Sequence, residues 1–301
     1  MSLVYLSAVE TREKIRLQLT LHYDGSAFHG WQSQPDVRTV QGEVQKVVTR
    51  LAGMPTSVLG SGRTDSGVHA TGQVASVAMP SRWTPTAFQR ALNALLPADI
   101  WVERAREVPW DFHPRYDARA RTYRYRLGLA PQARSPFHRR WCWPLTERID
   151  RKLLDRAAAL IPGERSFRSF AKSGQPERGY RCHVRTAVWD EWALGVVFRI
   201  TADRYLHHMV RYLVGTMVEV ARGRRPISDM EGLLAGQAKL DTSPPAPARG
   251  LCLERVEYPA EALRPEVAEW SEPSLRPEPP LQETQRVKPP KTPDARSTTS
   301  R

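Results

Sequence analysis

The chain has 301 residues, 41% hydrophobic and 26% charged, the balance of a soluble globular protein. It holds no run of eighteen apolar residues, which argues against a helical membrane span, and no secretory leader is expected from its mixed first residues. Its three cysteines, Cys142, Cys182 and Cys252, lie far apart with no CxxC pair. That pattern argues against a disulfide framework and a zinc site and fits a reducing cytoplasm.

The net charge is +13. Residues 1–14 and 260–301 each balance to zero, so the whole excess falls within 15–259. A folded core with that surplus suggests a polyanionic partner, most simply nucleic acid. The stretch 259–301 carries nine prolines without apolar periodicity and is expected to be a disordered tail; residues 1–14 are expected to be a flexible extension.

In chain order, Ile15, Leu17, Leu19 and Leu21 alternate with polar residues and predict a strand with one buried face. Val40, Val44, Val47, Val48 and Leu51 recur at helical spacing over 39–52. Residues 57–60 and 71–79 read as strands around a Gly-punctuated loop, Pro85 opens a second helix, and 100–108 reads as a strand. This β-α-β-β-α-β order is that of a ferredoxin-like half. Beyond it, strands are predicted over 121–129, 182–192, 195–202 and 250–258, and helices over 148–161, 204–222 and 227–235. The helix over 204–222 carries the longest apolar stripe, from Leu206 through Met209, Leu213 and Met217. Strands and helices mix without strict βα alternation, so the expected fold is α+β. Two ferredoxin-like halves, 15–110 and 111–258, are expected to form a mixed, mainly antiparallel sheet flanked by helices, with a cleft between them.

The stretch GSGRTDSGVHATGQVA, residues 60–75, is the most informative. Its glycines permit sharp bends and close approach of a ligand. In an extended segment, residues two apart project to one side, so Arg63 and Asp65 would share a face with Thr64 turned away. A phosphate loop of the GxxxxGK[ST] type is excluded, because no Lys stands at the required place. Spacing alone leaves an ordinary Gly-rich turn with a surface ion pair as the competing interpretation.

The segment GSGRTDSGVHA resembles the active-site motif of the tRNA pseudouridine synthase A family, GxGRTDxGVHA. The resemblance continues in order through YDGSAFHGWQSQ at 23–34, TVQGEVQ at 39–45, DFHPRYDARARTYRYRL at 111–127, FRSFAKSG at 167–174, YLHHMVRYLVGTMVEVARG at 205–223 and ARGLCLERVEY at 248–258. Ser61 and Ser66 depart from the alanines common there, and the proline-rich tail lies outside the match.

The resemblance implies conversion of uridine to pseudouridine at positions 38, 39 and 40 of the tRNA anticodon stem-loop, with no metal or organic cofactor. It also implies a cytoplasmic homodimer. Asp65 matches the family's essential aspartate, Arg211 the arginine that pairs with it, Arg63 the arginine of base flipping, and Tyr123 the tyrosine that packs on the uracil. The carboxylate could open the reaction at the sugar C1′, at the uracil C6, or by removing a sugar proton toward a glycal. Burial favours a protonated carboxyl, and a neighbouring guanidinium favours the anion. Tyr125 shares the predicted strand face with Tyr123 and competes for the stacking role.

His207 and His208 adjoin on the predicted helix with no carboxylate at ligand spacing, so a metal site is not expected there. His69 is expected to shape the loop or touch RNA, and Trp31 to be a packing residue. Arg119, Arg121, Arg124 and Arg126 are candidate phosphate contacts. A non-catalytic RNA-binding module is the alternative class, disfavoured because binding alone needs no carboxylate facing an anionic ligand. A zinc nucleobase deaminase is excluded by the missing HxE and PCxxC elements.

Overall fold

The computed structural model of the chain describes residues 13–145, 147–172, 179–237 and 239–263. The expected N-terminal extension and proline-rich tail lie outside the described residues, apart from 13–14 and 259–263.

The alternation of the opening segment folds as predicted. Strand β1 (Lys14–Tyr23) buries Leu17, Leu19 and Leu21 completely. Helix α1 (Val40–Ala52) starts where the Thr39 side chain accepts from the Gly42 N–H and stops at Gly53, whose φ of 75° suits a residue without Cβ. Strands β2 (Val58–Gly60) and β3 (His69–Pro80) flank the Gly-rich loop. Thr84 caps α2 (Pro85–Leu95), with proline in the first turn, where its missing N–H costs no hydrogen bond. Strand β4 (Ile100–Val108) completes the β-α-β-β-α-β order.

The second half runs β5 (Ala120–Gly128), β6 (Trp143–Pro144), α3 (Arg151–Ala159), β7 (Gly163–Ser166), β8 (Arg181–Trp192), β9 (Gly195–Ala202), α4 (Met209–Ala221), α5 (Ile227–Leu234) and β10 (Leu251–Glu257). The short strands β6 and β7 have no periodic signal in the sequence. The helix expected over 204–222 begins five residues later than predicted, at Met209. Leu206 is buried and so extends the apolar spacing, but His208 sits at φ 63°, ψ 3°, a left-handed conformation that an α-helix does not contain.

The ten strands among the described residues join one sheet, with main order β4-β1-β3-β10-β5-β9-β8-β7. Pairing is antiparallel throughout except β3 with β10 and β5 with β6. The fold is therefore α+β with a mixed, mainly antiparallel sheet, as expected. Strand β10, the last among the described residues, lies between β3 of the first half and β5 of the second. Its register places Cys252 opposite His69 and Tyr123 opposite Leu253, so one short strand fixes both the exit of the Gly-rich loop and the strand that carries Tyr123.

Candidate active site

Residues 61–68 connect β2 to β3, and their backbone is held from three sides. The Ser61 N–H donates to the Val74 carbonyl at 2.8 Å, and the Gln73 side-chain amide donates to the Gly62 carbonyl at 3.0 Å. Thr64 points inward, its hydroxyl 2.8 Å from the Tyr23 hydroxyl and its carbonyl accepting from the Trp31 N–H at 3.0 Å. Trp31 is buried, so its expected packing role holds.

The close approach requires glycine at two flanking positions. A Cβ on Gly30, at φ +89°, would stand 2.6 Å from the Thr64 carbonyl oxygen. One on Gly25 would meet the Val68 carbonyl oxygen at 2.0 Å. With Thr64 locked inward, the alternation expected from an extended segment places Arg63 and Asp65 outward. Arg63 is exposed, and the Asp65 side chain keeps 19% exposure in a pocket of basic side chains.

Those basic groups come from the entry to α4. Arg211 donates its Nε–H to the Ala246 carbonyl at 2.8 Å, which fixes the guanidinium plane, and its Nη1 to Asp65 Oδ2 at 3.3 Å. His208 Nε2 lies 3.3 Å from the same oxygen, and His207 Nε2 lies 3.4 Å from Oδ1. The left-handed turn at His208 is what aims both imidazoles at the carboxylate instead of along a helix face. Left-handed backbone at a bulky residue is strained, and such strain clusters at functional sites. Burial, together with the charges of Arg211, His207 and Lys172, outweighs the pull of Asp65 and holds the His208 imidazole below its usual range.

Sequence spacing showed no carboxylate beside the histidine pair, and that argument does not survive folding. Asp65 arrives from the other half of the chain, so its ligand atom and those of both histidines lie within 4.8 Å of one another. The donor set alone fits a transition metal. Arg211 Nη1, however, stands 3.3 Å from Asp65 and 3.4 Å from His208 Nε2, so a dication would face a fixed guanidinium. The positive charge beside this carboxylate is already built into the chain.

Tyr123 and Tyr125 separate cleanly. Tyr125 is fully buried, donates its hydroxyl to the Pro247 carbonyl at 2.9 Å, and lies so close to Gly250 that a Cβ there would stand 2.5 Å from the ring. Tyr123 keeps 9% of its surface exposed. Its ring meets Tyr205 edge-on at 4.9 Å between centroids. Burial, assisted by the Asp65 carboxylate, pushes the Tyr123 phenol above its usual range, so it stays neutral beside that anion. Tyr205 is a supporting residue that sequence reasoning missed. Its hydroxyl faces the Arg121 and Ile200 carbonyls, which holds the ring against Tyr123.

The arginine crowd around β5 is not a free phosphate-binding stripe. Arg121 donates to the carbonyls of Ser61, Arg115, Ala118 and Asp203 and so ties the Gly-rich loop to the second half. Arg119 pairs with Glu261, Arg124 with Glu254, and Arg126 lies over the Trp192 ring. His69 shapes the loop, one of its two expected roles. Its Nδ1 accepts from the Gly25 N–H and its Nε2 faces the Arg140 carbonyl, both at 3.0 Å.

A family model described as tRNA pseudouridine synthase matches residues 20–117 and 157–259, which contain Arg63, Asp65, His207, His208 and Arg211 but not Tyr123. The chain belongs to the tRNA pseudouridine synthase family. It is 43% identical over 244 residues to tRNA pseudouridine synthase A of Moorella thermoacetica, covering 80% of this chain and 99% of that one. The corresponding protein of Geobacter sp. strain M21 is 38% identical, covering 81% and 98%. That of Myxococcus xanthus is 40% identical, covering 81% and 92%. As a pseudouridine synthase the chain is an RNA-modifying isomerase. Its pocket gathers Asp65, Arg211 and Tyr123, with Arg63 exposed on the same loop. His207 and His208 complete the ring around Asp65. The only sequence sign of their part is that the HHMVR run sets them beside Arg211.

Proposed function

We propose that this protein isomerises uridine to pseudouridine at positions 38, 39 and 40 of the tRNA anticodon stem-loop, with Asp65 as the acting carboxylate. The observation that carries the reading is the setting of Asp65: an accessible carboxylate whose two oxygens face Arg211, His207 and His208 within 3.4 Å. A carboxylate so placed is compensated electrostatically yet open to a ligand. Mere RNA binding gives no use for an anion at this point.

The reaction breaks the N1–C1′ bond, rotates the uracil and forms the C5–C1′ bond. The C5 proton is lost and N1 regains one, so no atoms are gained or lost overall. Each possible opening step needs an ionised oxygen at the glycosidic bond, and Arg211 sets a positive charge 3.3 Å from Asp65 Oδ2. A paired uridine must first leave its stack, at a cost of a few kcal/mol. Arg63 fills the vacated space with its planar guanidinium. Tyr123 receives the uracil, and base–aromatic stacking of about 1–3 kcal/mol offsets much of that cost. The surplus of +13 supports a polyanionic substrate. Among the described residues, no helix is long and apolar enough to cross a membrane. The resemblance supports a homodimer acting on tRNA in the cytoplasm.

Asp65→Ala should abolish tritium release from C5-labelled uridine in unmodified tRNA while leaving tRNA binding in place. Release at the wild-type rate would remove Asp65 from its role.

A further inference from the structure

Between β5 and β6 the chain makes an excursion, residues 129–142, that returns to its starting point: β6 pairs in parallel with Leu127 and Gly128. At its tip Phe137 is 83% exposed, the most exposed of the large hydrophobic side chains described. An exposed aromatic on a loose loop would mean little, but this loop is stapled. The Ser135 carbonyl accepts from the N–H groups of both His138 and Arg139, at 2.9 and 2.8 Å. The buried Cys142 thiol faces the carbonyls of Ala133 and His138, and Pro136 restricts the backbone just before the ring. Phe137 is thus held out in water by a braced backbone.

The excursion is also fastened to the catalytic loop. Arg140 pairs with Asp24 at 2.6 Å, its carbonyl meets His69 Nε2, and Trp141 packs on the His69 ring at 4.7 Å between centroids. From 131 to 146 the sequence has no acidic residue. Arg134 and Arg139 are exposed and, among the described residues, have no ion pair. A braced aromatic flanked by unpaired guanidinium groups is the arrangement that stacks on a base and holds its phosphates. Symmetric pairing of this loop with a second copy of itself would instead oppose like charges.

We propose that the excursion is a second RNA contact, in which Phe137 stacks on an unpaired base of the substrate tRNA and Arg134 and Arg139 hold the adjoining phosphates. The proposal rests on the tRNA-modifying reading of the Asp65 pocket and extends it to a surface beside that pocket. The test measures binding of an unmodified tRNA transcript to the full chain across a salt series, together with sedimentation of the free protein. Phe137→Leu should weaken binding about tenfold, whereas Phe137→Trp should hold it within about twofold, because only a planar ring stacks. Replacing Arg134 and Arg139 together by Gln should lower the slope of log affinity against log salt by about 2. Wild-type binding by Phe137→Leu, or an unchanged slope, overturns the proposal while wild-type tritium release still supports the pocket reading. A fall in sedimenting mass for Phe137→Leu also overturns it, because the ring would then pack against a second copy. Absence of tritium release from the wild-type protein counts against the pocket reading itself.

Discussion

Two tyrosines on one face of one strand meet different fates because of what crosses above them. Gly250 and the Pro247 carbonyl close over Tyr125, while Tyr123 keeps a 9% exposed edge. On the proposed reading the stacking role falls to Tyr123 and depends on the ring, not the hydroxyl. Tyr123→Phe should leave the KM for tRNA within about twofold, and Tyr123→Leu should weaken transition-state binding by about 1–3 kcal/mol, read as a loss in kcat/KM. Equal losses for both variants would assign the work to the phenol. The neighbours of Asp65 show the limit of residue-level reading. Asp65 and Arg211 were legible from their motifs. The histidines were not, because their meeting with Asp65 spans more than 140 positions and depends on one left-handed residue that the apolar spacing of 204–222 conceals.

At the scale of elements, the catalytic loop takes its shape from its neighbours. The Gly30 contact is one test. Gly30→Ala forces a Cβ against the Thr64 carbonyl at an unfavourable φ, and should cost about 1–3 kcal/mol of stability along with most of the turnover. An unchanged urea midpoint would refute the clamp. His69 is another. Burial holds its imidazole below the usual range despite the Asp24 carboxylate 3.2 Å away. The unfolded chain thus binds a proton more readily than the folded one. The stability that His69 contributes is complete above its unfolded value near 6.5 and is lost as pH falls through the lower folded value. Urea midpoints from pH 8 to pH 5 should fall more steeply for the wild type than for His69→Gln; parallel curves would exclude His69 as the linked group. Helices α1 and α2 were legible because valines recur at helical spacing in the first and Pro85 opens the second. Strands β6 and β7, two and four residues long, carry no period to detect and exist because longer strands accept them as partners.

For the whole molecule, the charge surplus was readable from composition, but its distribution was not. The arginines around β5 that looked like a phosphate stripe are mostly spent on carbonyls and ion pairs within the fold. Affinity for tRNA should still fall by orders of magnitude between 50 and 200 mM salt if several phosphates are contacted, and a flat dependence would contradict a basic binding surface.

The position of β10 has its own consequence. The last of the described strands fills the gap between β3 and β5, at the seam where the loop bearing Asp65 and the strand bearing Tyr123 are brought into register. A chain that stops short of this strand leaves β3 and β5 without the partner they share. Truncation before residue 251 should therefore abolish tritium release, and a truncated chain that keeps the wild-type rate would refute the part assigned to this strand.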